Sequence, residues 1–238
     1  MRWHQLIEGD PRVRALHRAC QTIYAAEDLW VEEAGEEIFI DLKGARVFLP
    51  IAFPEQGEVL EQVRERYRGT VEIRVEEPPG DAVGLRDSYH EYVNLLRRLG
   101  SPFLAEIRRL THARGREHAF ILFLDTEAAM LLEGEGDRIV LPELRSCVFA
   151  HTHPGEHCLP SPNDIKSSVG FFSSGGIVEL IVSSSCTWML WRSWLLAEED
   201  IEALFETAGL LDKAYRGARV DPFQPLSRTV FRTSLERS

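Results

Sequence analysis

One stretch of the chain, residues 147–172, restricts the possible folds more than any other, because it joins a strand end to a helix start. Residues 147–153 have the apolar pattern of a strand. His151 and His153 occupy alternate positions, so both side chains point to the same face of a sheet. Pro154 ends the strand pattern, because proline has no N–H to donate to a ladder. We therefore expect two imidazoles side by side at the end of a strand.

The helix that follows carries its own start signal. Ser161 has the N-cap position, Pro162 the first helical position and Asp164 the third. A carboxylate in this first turn can face back toward the strand end. Two imidazoles and one carboxylate suit a divalent metal, zinc first. Three protein ligands leave a fourth position for water, which is typical of a catalytic zinc site.

The His-x-His half and the Ser-x-x-Asp half of this pattern each have a simpler explanation. A structural zinc site with other ligands is a further alternative. His-x-His is often a pair at a sheet edge, and Ser-x-x-Asp is most often a capping box. His157 and Cys158 could instead close a structural zinc site with the two strand histidines. In the alternative that we favour, His157 and Cys158 lie on the loop beside the metal and shape substrate access. Cys158 is then a packed thiol or an oxidation liability.

Joined at this spacing, the two halves resemble a known motif. The order is His151-x-His153, then the seven residues 154–160, then Ser161-x-x-Asp164. This order resembles the JAMM motif, the metal-binding signature of the JAB1/MPN+ metalloprotease family. The joint pattern is more specific than either half alone.

The family pattern also includes an upstream glutamate at the start of a buried strand that follows a helix. Glu117 has that place before the apolar run of residues 118–124. Residues 116–126 resemble in particular the RadC-like bacterial branch, whereas Thr152 is similar to the deubiquitinase branch. Glu106 is a rival for the role of the glutamate, but its arginine neighbours indicate a solvated helix face.

The resemblance covers roughly residues 100–200 and implies both a fold and a chemistry. The implied fold is α/β (α+β), a JAB/MPN-type, cytidine-deaminase-like β-sheet core flanked by helices. The implied activity is zinc-dependent hydrolysis of an isopeptide or peptide bond next to a ubiquitin-like or sulfur-carrier-like protein tail. One zinc ion per chain activates the water in this scheme. The implied metal ligands are His151, His153 and Asp164, the general base is Glu117, and the oxyanion-stabilising donor is Ser161.

One departure from the family pattern concerns the spacing between the glutamate and the histidines. Only 33 residues separate Glu117 from His151, fewer than is usual in the family. Residues 138–146 are too short for a full hairpin and helix, so we expect a family helix to be shortened or missing there. Two alternatives to the enzyme remain open: a catalytically silent MPN scaffold or binding module, and a RadC-like DNA-associated protein.

Turn signals predict how the chain divides into domains. The Pro-Pro-Gly sequence at 78–80 is the clearest linker. It separates a small α+β N-terminal accessory domain, residues 1–80, from a JAMM domain, residues 81–216. The tail, residues 217–238, is expected to be extended or loosely packed. The N-terminal domain resembles no family that we can name, and substrate recognition, homodimerisation and partner binding are its open roles.

Pro102 is expected to divide two helices.

Net charge limits the partners. The 238 residues include 38 acidic and 27 basic side chains, so the formal charge is −11. An acidic surface repels nucleic-acid phosphates and anionic lipid. Net charge therefore argues against a membrane partner, and the family resemblance implies a protein substrate, a ubiquitin-like or small carrier-protein conjugate. Direct nucleic-acid binding would require several arginines to gather on one face. The candidates are Arg108, Arg109, Arg114 and Arg116.

Cysteine spacing and hydropathy bear on the compartment. The four cysteines are widely spaced and form no Cys-x-x-Cys pair, which argues against a disulfide framework. The N-terminal segment has no apolar signal core, and the most apolar window is interrupted by polar residues. We therefore expect a protein of the reducing cytoplasm.

Overall fold

The chain forms two compact units. The structure is a computed structural model that describes residues 2–31, 38–51, 57–134 and 145–237. One unit is Gly9–Leu99, and the other combines Met1–Glu8 with Gly100–Ser238. Both contain helices and a sheet, which confirms the α+β class.

The Gly9–Leu99 unit has a four-stranded sheet with the strand order β4-β3-β2-β5. Its elements are α1 (Pro11–Leu29), β2 (Phe39–Asp41), β3 (Arg46–Leu49), α2 (Glu58–Arg66), β4 (Glu72–Val75) and β5 (Val83–Gly84). Asp10 caps α1 by accepting a hydrogen bond from the backbone N–H of Arg12. Because β5 pairs with β2, the Pro-Pro-Gly turn lies inside this unit. The compact units therefore divide at residue 99 and not at the predicted linker near residue 80.

Helix α3 (Leu85–Arg114) runs without a break through the position of Pro102. The prediction of two helices is therefore wrong. Proline lacks the N–H of an interior helical bond, which costs about 3 kcal/mol. Buried apolar side chains on both sides of Pro102 offset this cost: Leu96 is fully buried before it, and Phe103 and Ile107 are buried after it.

The larger unit contains a seven-stranded sheet with the order β1-β7-β6-β8-β9-β10-β11. Its strands are β1 (Arg2–Glu8), β6 (His118–Phe123), β7 (Ala128–Glu133), β8 (Ser146–Thr152), β9 (Val178–Val182), β10 (Cys186–Arg192) and β11 (Phe231–Arg237). The helices α4 (Pro162–Ser173) and α5 (Glu198–Tyr215) complete it, with a 3₁₀ turn at Pro225–Arg228. Strand β8 lies at the centre of the sheet, antiparallel to β6 and parallel to β9.

The two faces of the central strands pack against different helices. Ala119 pairs with His151 across β6 and β8, so these two residues share a face. That face joins a core with Ile165 of α4 and Leu204 of α5. The next residue of β6, Phe120, points the other way, where its ring stacks at 4.9 Å on Phe103 of α3. His151, a candidate metal ligand, therefore lies on the face that carries α4.

The chain termini depart from the sequence-based expectations. Of the two alternatives for the tail, loose packing is wrong for residues 231–237, which form the extended strand β11: it pairs with β10 along its whole length, and Phe231 is only 1% exposed. The N-terminal strand β1 belongs to the larger unit, where it pairs with β7. Hydrogen bonding to an existing sheet edge determines both placements, and local periodicity does not reveal it. The family helix that we expected to be shortened near residues 138–146 falls mainly outside the described residues.

Membrane-spanning helices are not found in the part of the chain that the structure describes, since none of its helices is both long and apolar enough.

Candidate metal centre

Strand β8 brings the two histidines together. His151 is 5% exposed within the strand, and His153 follows it with its backbone N–H bonded to the Val182 carbonyl at 3.0 Å. The Nε2 atoms of the two rings lie 3.3 Å apart. The predicted shared face is therefore present.

Helix α4 supplies the carboxylate from its first turn. Ser161 caps the helix, because its Oγ accepts a hydrogen bond from the Asp164 backbone N–H at 3.2 Å. The Asp164 side chain returns this contact by accepting the Ser161 backbone N–H at 2.6 Å. This is the capping box that we considered as the simpler explanation. The same carboxylate also reaches both histidines, so capping and a ligand arrangement coexist.

The three side chains lie close enough together to hold a metal ion. Asp164 Oδ1 lies 3.5 Å from His151 Nε2, and Asp164 Oδ2 lies 3.3 Å from His153 Nε2. Zinc–nitrogen bonds of about 2.0–2.1 Å in tetrahedral geometry place neighbouring ligand atoms about 3.3–3.4 Å apart. The distance between the two Nε2 atoms matches this value, and each histidine lies at about this distance from a different oxygen of Asp164. One ligand atom from each residue lies within 4.8 Å of the others, so the cluster could hold a metal ion.

Electrostatics keep the carboxylate ionised. Burial alone would raise the pKa of Asp164, but hydrogen bonds to His151 and His153, the charge of His151 and the Ser161 N–H hold it well below its usual range. Burial would likewise lower the pKa of His153. The hydrogen bond to Asp164 and its charge, the charge of Glu117 and a hydrogen bond to the His157 backbone raise the pKa of His153 instead.

Glu117 lies on the same face as the ligands. The β6–β8 pairs end with Ala119 opposite His151, and the same register extended by two residues would bring Glu117 opposite His153. Glu117 is half-buried, and its charge acts on His153. Its backbone carbonyl accepts a hydrogen bond from Gly134 at 2.9 Å.

Glu106, the rival glutamate, is placed differently. It belongs to α3, and its two carboxylate oxygens accept hydrogen bonds from Arg109 at 2.7 and 2.8 Å. The C-terminal part of α3 packs through Thr111 against His118, which points away from the face of Glu117. Glu106 therefore lies on a solvated helix face, as its arginine neighbours indicated.

Cys158 forms a disulfide with Cys186 at the start of β10. The expectations of a free Cys158 and of no disulfide are therefore wrong. The two cysteines are 28 residues apart in sequence, and the return of β10 beside the site brings them together. The rival four-ligand zinc site is not assembled, because Cys158 has no free thiolate and His157 is exposed. Among the described residues, the only metal-ligand cluster consists of His151, His153 and Asp164.

Our sequence analysis did not identify Glu179, a buried acidic residue of β9 that contacts α4. Glu179 of β9 is 1% exposed and accepts a short hydrogen bond from Ser168 Oγ. Ser168 Oγ also lies 3.0 Å from the Asp164 carbonyl oxygen in the preceding turn of α4. Burial raises the pKa of Glu179 to about 8. Its signal in the sequence is an acidic residue inside an otherwise apolar strand.

Tyr215 at the end of α5 is a second residue that we missed. Its phenol donates a hydrogen bond to the Pro160 carbonyl at 3.3 Å, beside the helix cap. Burial and the charge of Asp164 raise the pKa of Tyr215. No local motif marks this contact, because 55 residues separate the two partners.

Comparison with protein-family models, curated proteins and solved structures finds no match to this chain. The support for the candidate centre therefore comes from its own geometry and from the motif in the sequence.

Proposed function

We propose that this chain is a zinc-dependent metallopeptidase of the JAMM type with a JAB/MPN-type core. Its proposed reaction is hydrolysis of an isopeptide or peptide bond next to a ubiquitin-like or sulfur-carrier-like protein tail. The observation that carries the proposal is the convergence of His151, His153 and Asp164 at 3.3–3.5 Å, with Glu117 on the same sheet face. The nature of the substrate rests on the resemblance of the motif.

The donor set favours zinc over harder cations. Two imidazole nitrogens and one carboxylate are typical zinc ligands, whereas magnesium and calcium prefer oxygen. His151 Nδ1 is buried and has no hydrogen-bond partner among the described residues, which leaves Nε2 as the atom directed at the other ligands. When bound, zinc would supply a Lewis acid that lowers the pKa of water and polarises a carbonyl group.

The remaining chemistry belongs to two side chains. Glu117 takes a proton from the attacking water and returns it to the leaving amine. Ser161 Oγ already accepts a hydrogen bond from Asp164, and among the described residues its own proton is not donated elsewhere. That proton can therefore be donated to the developing oxyanion.

The alternatives are less well supported. A silent scaffold of the same fold would not require the ligands, the base and the hydroxyl to be present together. A DNA-associated role would require a basic face, but three of the four candidate arginines have acidic partners, and Arg108 donates to Thr187 Oγ1 at 3.1 Å. Arg109 pairs with Glu106 at 2.7 Å, and Arg114 and Arg116 pair with Glu133 at 2.6 and 3.3 Å.

The deciding experiment combines metal analysis with a cleavage assay. Purified protein should contain about one zinc per chain, and it should cleave tagged ubiquitin-like or carrier-protein conjugates. A chelator should abolish cleavage, and added zinc should restore it. Correctly folded protein that binds no zinc contradicts the proposal. Zinc binding with no cleavage of any conjugate favours the scaffold, and salt-sensitive binding to duplex DNA favours the DNA-associated role.

A further inference from the structure

We propose that the hydroxyl of Thr152, the residue between the two histidines, is a positioning group that holds Glu117 across from the metal ligands. The catalytic consequence rests on the proposed function, but the contact itself does not. Thr152 is 1% exposed and, like its neighbour His118 on β6, faces α3 and not the metal site. It therefore acts on Glu117 only through the backbone.

The hydroxyl binds the main chain where the regular β6–β8 ladder ends. Thr152 Oγ1 accepts a hydrogen bond from the His118 backbone N–H at 2.8 Å. It donates to the His118 carbonyl oxygen at 3.2 Å. The Thr152 side chain thus hydrogen-bonds to both backbone groups of His118, the residue that follows Glu117.

The directions of the neighbouring hydrogen bonds follow from their acceptors. His118 Nδ1 lies 2.9 Å from the Arg116 carbonyl, which can only accept, so Nδ1 carries the proton. Thr111 Oγ1, 3.0 Å from the same nitrogen, shares that proton as an acceptor. Its own proton is then donated to Thr152 Oγ1 at 2.5 Å. Thr152 therefore uses its one donor and both acceptor positions.

The hydrogen bonds of this network are made to the peptide groups on both sides of Glu117. The Arg116 carbonyl in the peptide before it accepts from the His118 ring, and the His118 N–H in the peptide after it is bound by Thr152. The Glu117 carbonyl accepts from Gly134. Hydrogen bonds to both adjoining peptides fix the Cα position of Glu117 and leave only its side chain to move. Displacement of a catalytic group by about 1 Å can cost about 100-fold in rate.

The test replaces the hydroxyl while keeping the shape. Thr152→Val preserves volume and β-branching but removes the hydroxyl that accepts the His118 N–H, whereas Thr152→Ser keeps the hydroxyl. Thr207→Val is the matched control, because Thr207 is fully buried in α5 and its hydroxyl has no hydrogen-bond partner in the described chain.

Two measurements separate this proposal from the hydrolase proposal. In zinc-loaded protein, Thr152→Val should lower kcat about 10- to 100-fold with KM and zinc content unchanged. In metal-free protein, it should raise amide hydrogen exchange at His118 about tenfold. Thr152→Ser should restore both values, and Thr207→Val should change neither.

The outcomes are decisive in each direction. Unchanged exchange at His118 in Thr152→Val overturns the positioning role, as does an unchanged kcat in an active enzyme. Equal losses in Thr152→Ser and Thr152→Val would assign the effect to packing and also overturn it. A rise in exchange confined to Thr152→Val supports the contact even if the wild-type protein cleaves no conjugate, which would count against the hydrolase alone. If Thr152→Val does not fold, Thr111→Val should raise exchange at His118 and lower kcat in the same way, but by smaller factors. If Thr111→Val changes neither value, the proposal is overturned.

Discussion

Cys158 is joined to Cys186 by a disulfide. The loop between β8 and α4 is therefore covalently linked to the start of β10. Hydrogen bonds reinforce this link, since Ser185 Oγ donates to the Glu156 carbonyl at 2.6 Å and Ser183 Oγ donates to it at 3.2 Å. The bond removes the argument from cysteine spacing for a reducing compartment, because disulfides persist in oxidising environments.

Opening this disulfide should destabilise the protein. The bond closes a loop over a sequence separation of 28 residues, for which chain entropy predicts about 3–4 kcal/mol. We expect Cys158→Ala/Cys186→Ala and reduced wild-type protein to unfold at matching, lower denaturant concentrations. Without reductant, denatured wild-type protein should show two titratable thiols, those of Cys20 and Cys147. Four thiols before reduction would contradict the bond.

Replacing the ligand carboxylate should remove the metal while leaving the helix in place. Asp164→Asn keeps an oxygen that can accept the Ser161 N–H but loses the charge, so zinc affinity should fall at least about 100-fold. The measurement is a competition titration with a chelating indicator. Asp200→Asn is the matched control, because Asp200 caps α5 by accepting the Ala197 N–H at 2.8 Å, in the equivalent position of that helix. Equal loss of zinc in both variants would indicate a folding effect.

Substitution of the two candidate bases, Glu117 and Glu106, should have clearly different effects on kcat. Glu117→Gln keeps the size of the side chain but cannot accept the proton, so kcat should fall about 10²- to 10⁴-fold with zinc retained. Glu106→Gln removes only an exposed ion pair with Arg109 and should leave kcat unchanged. Steady-state kinetics on one conjugate with both variants checks this. An active Glu117→Gln beside an inactive Glu106→Gln would transfer the role of base to Glu106.

Glu179 should make the stability of the protein depend on pH. Its pKa rises from an ordinary 4.5 to about 8 on folding, so the folded state holds the proton more tightly. Its stabilising contribution is fully present below pH 4.5 and is lost as pH rises through 8, by at most about 1.4 kcal/mol per pH unit. Glu179→Gln should flatten this part of the urea-midpoint profile, whereas exposed Glu206→Gln should leave it unchanged. Parallel profiles for Glu179→Gln and wild type would contradict the prediction.

Local signals were sufficient for the parts of the site that depend on neighbouring residues. The alternation of His151 and His153 follows from the two-residue period of a strand. The helix start at Ser161 and the inward-facing Asp164 follow from capping chemistry. The same reasoning anticipated β8, predicted over residues 147–153 and observed over Ser146–Thr152, because this segment has a strong apolar pattern.

Long-range partners decided the features that local signals missed. The pairing of β1 with β7 and of β11 with β10 depends on sheet edges far away in sequence. The continuous α3 depends on burial on both sides of Pro102, which outweighs the local preference of proline to begin a helix.

The sequence by itself determined the chemical identity of the candidate ligands and their local placement, because strand alternation and helix capping act over only a few residues. Only the tertiary structure decided that the charge of Glu117 acts on His153, that Thr152 binds the backbone beside Glu117 and that Cys158 is in a disulfide. Each of these contacts joins residues that are at least 28 positions apart. Their geometry arises from strand order and register, which are set by the packing of the whole sheet.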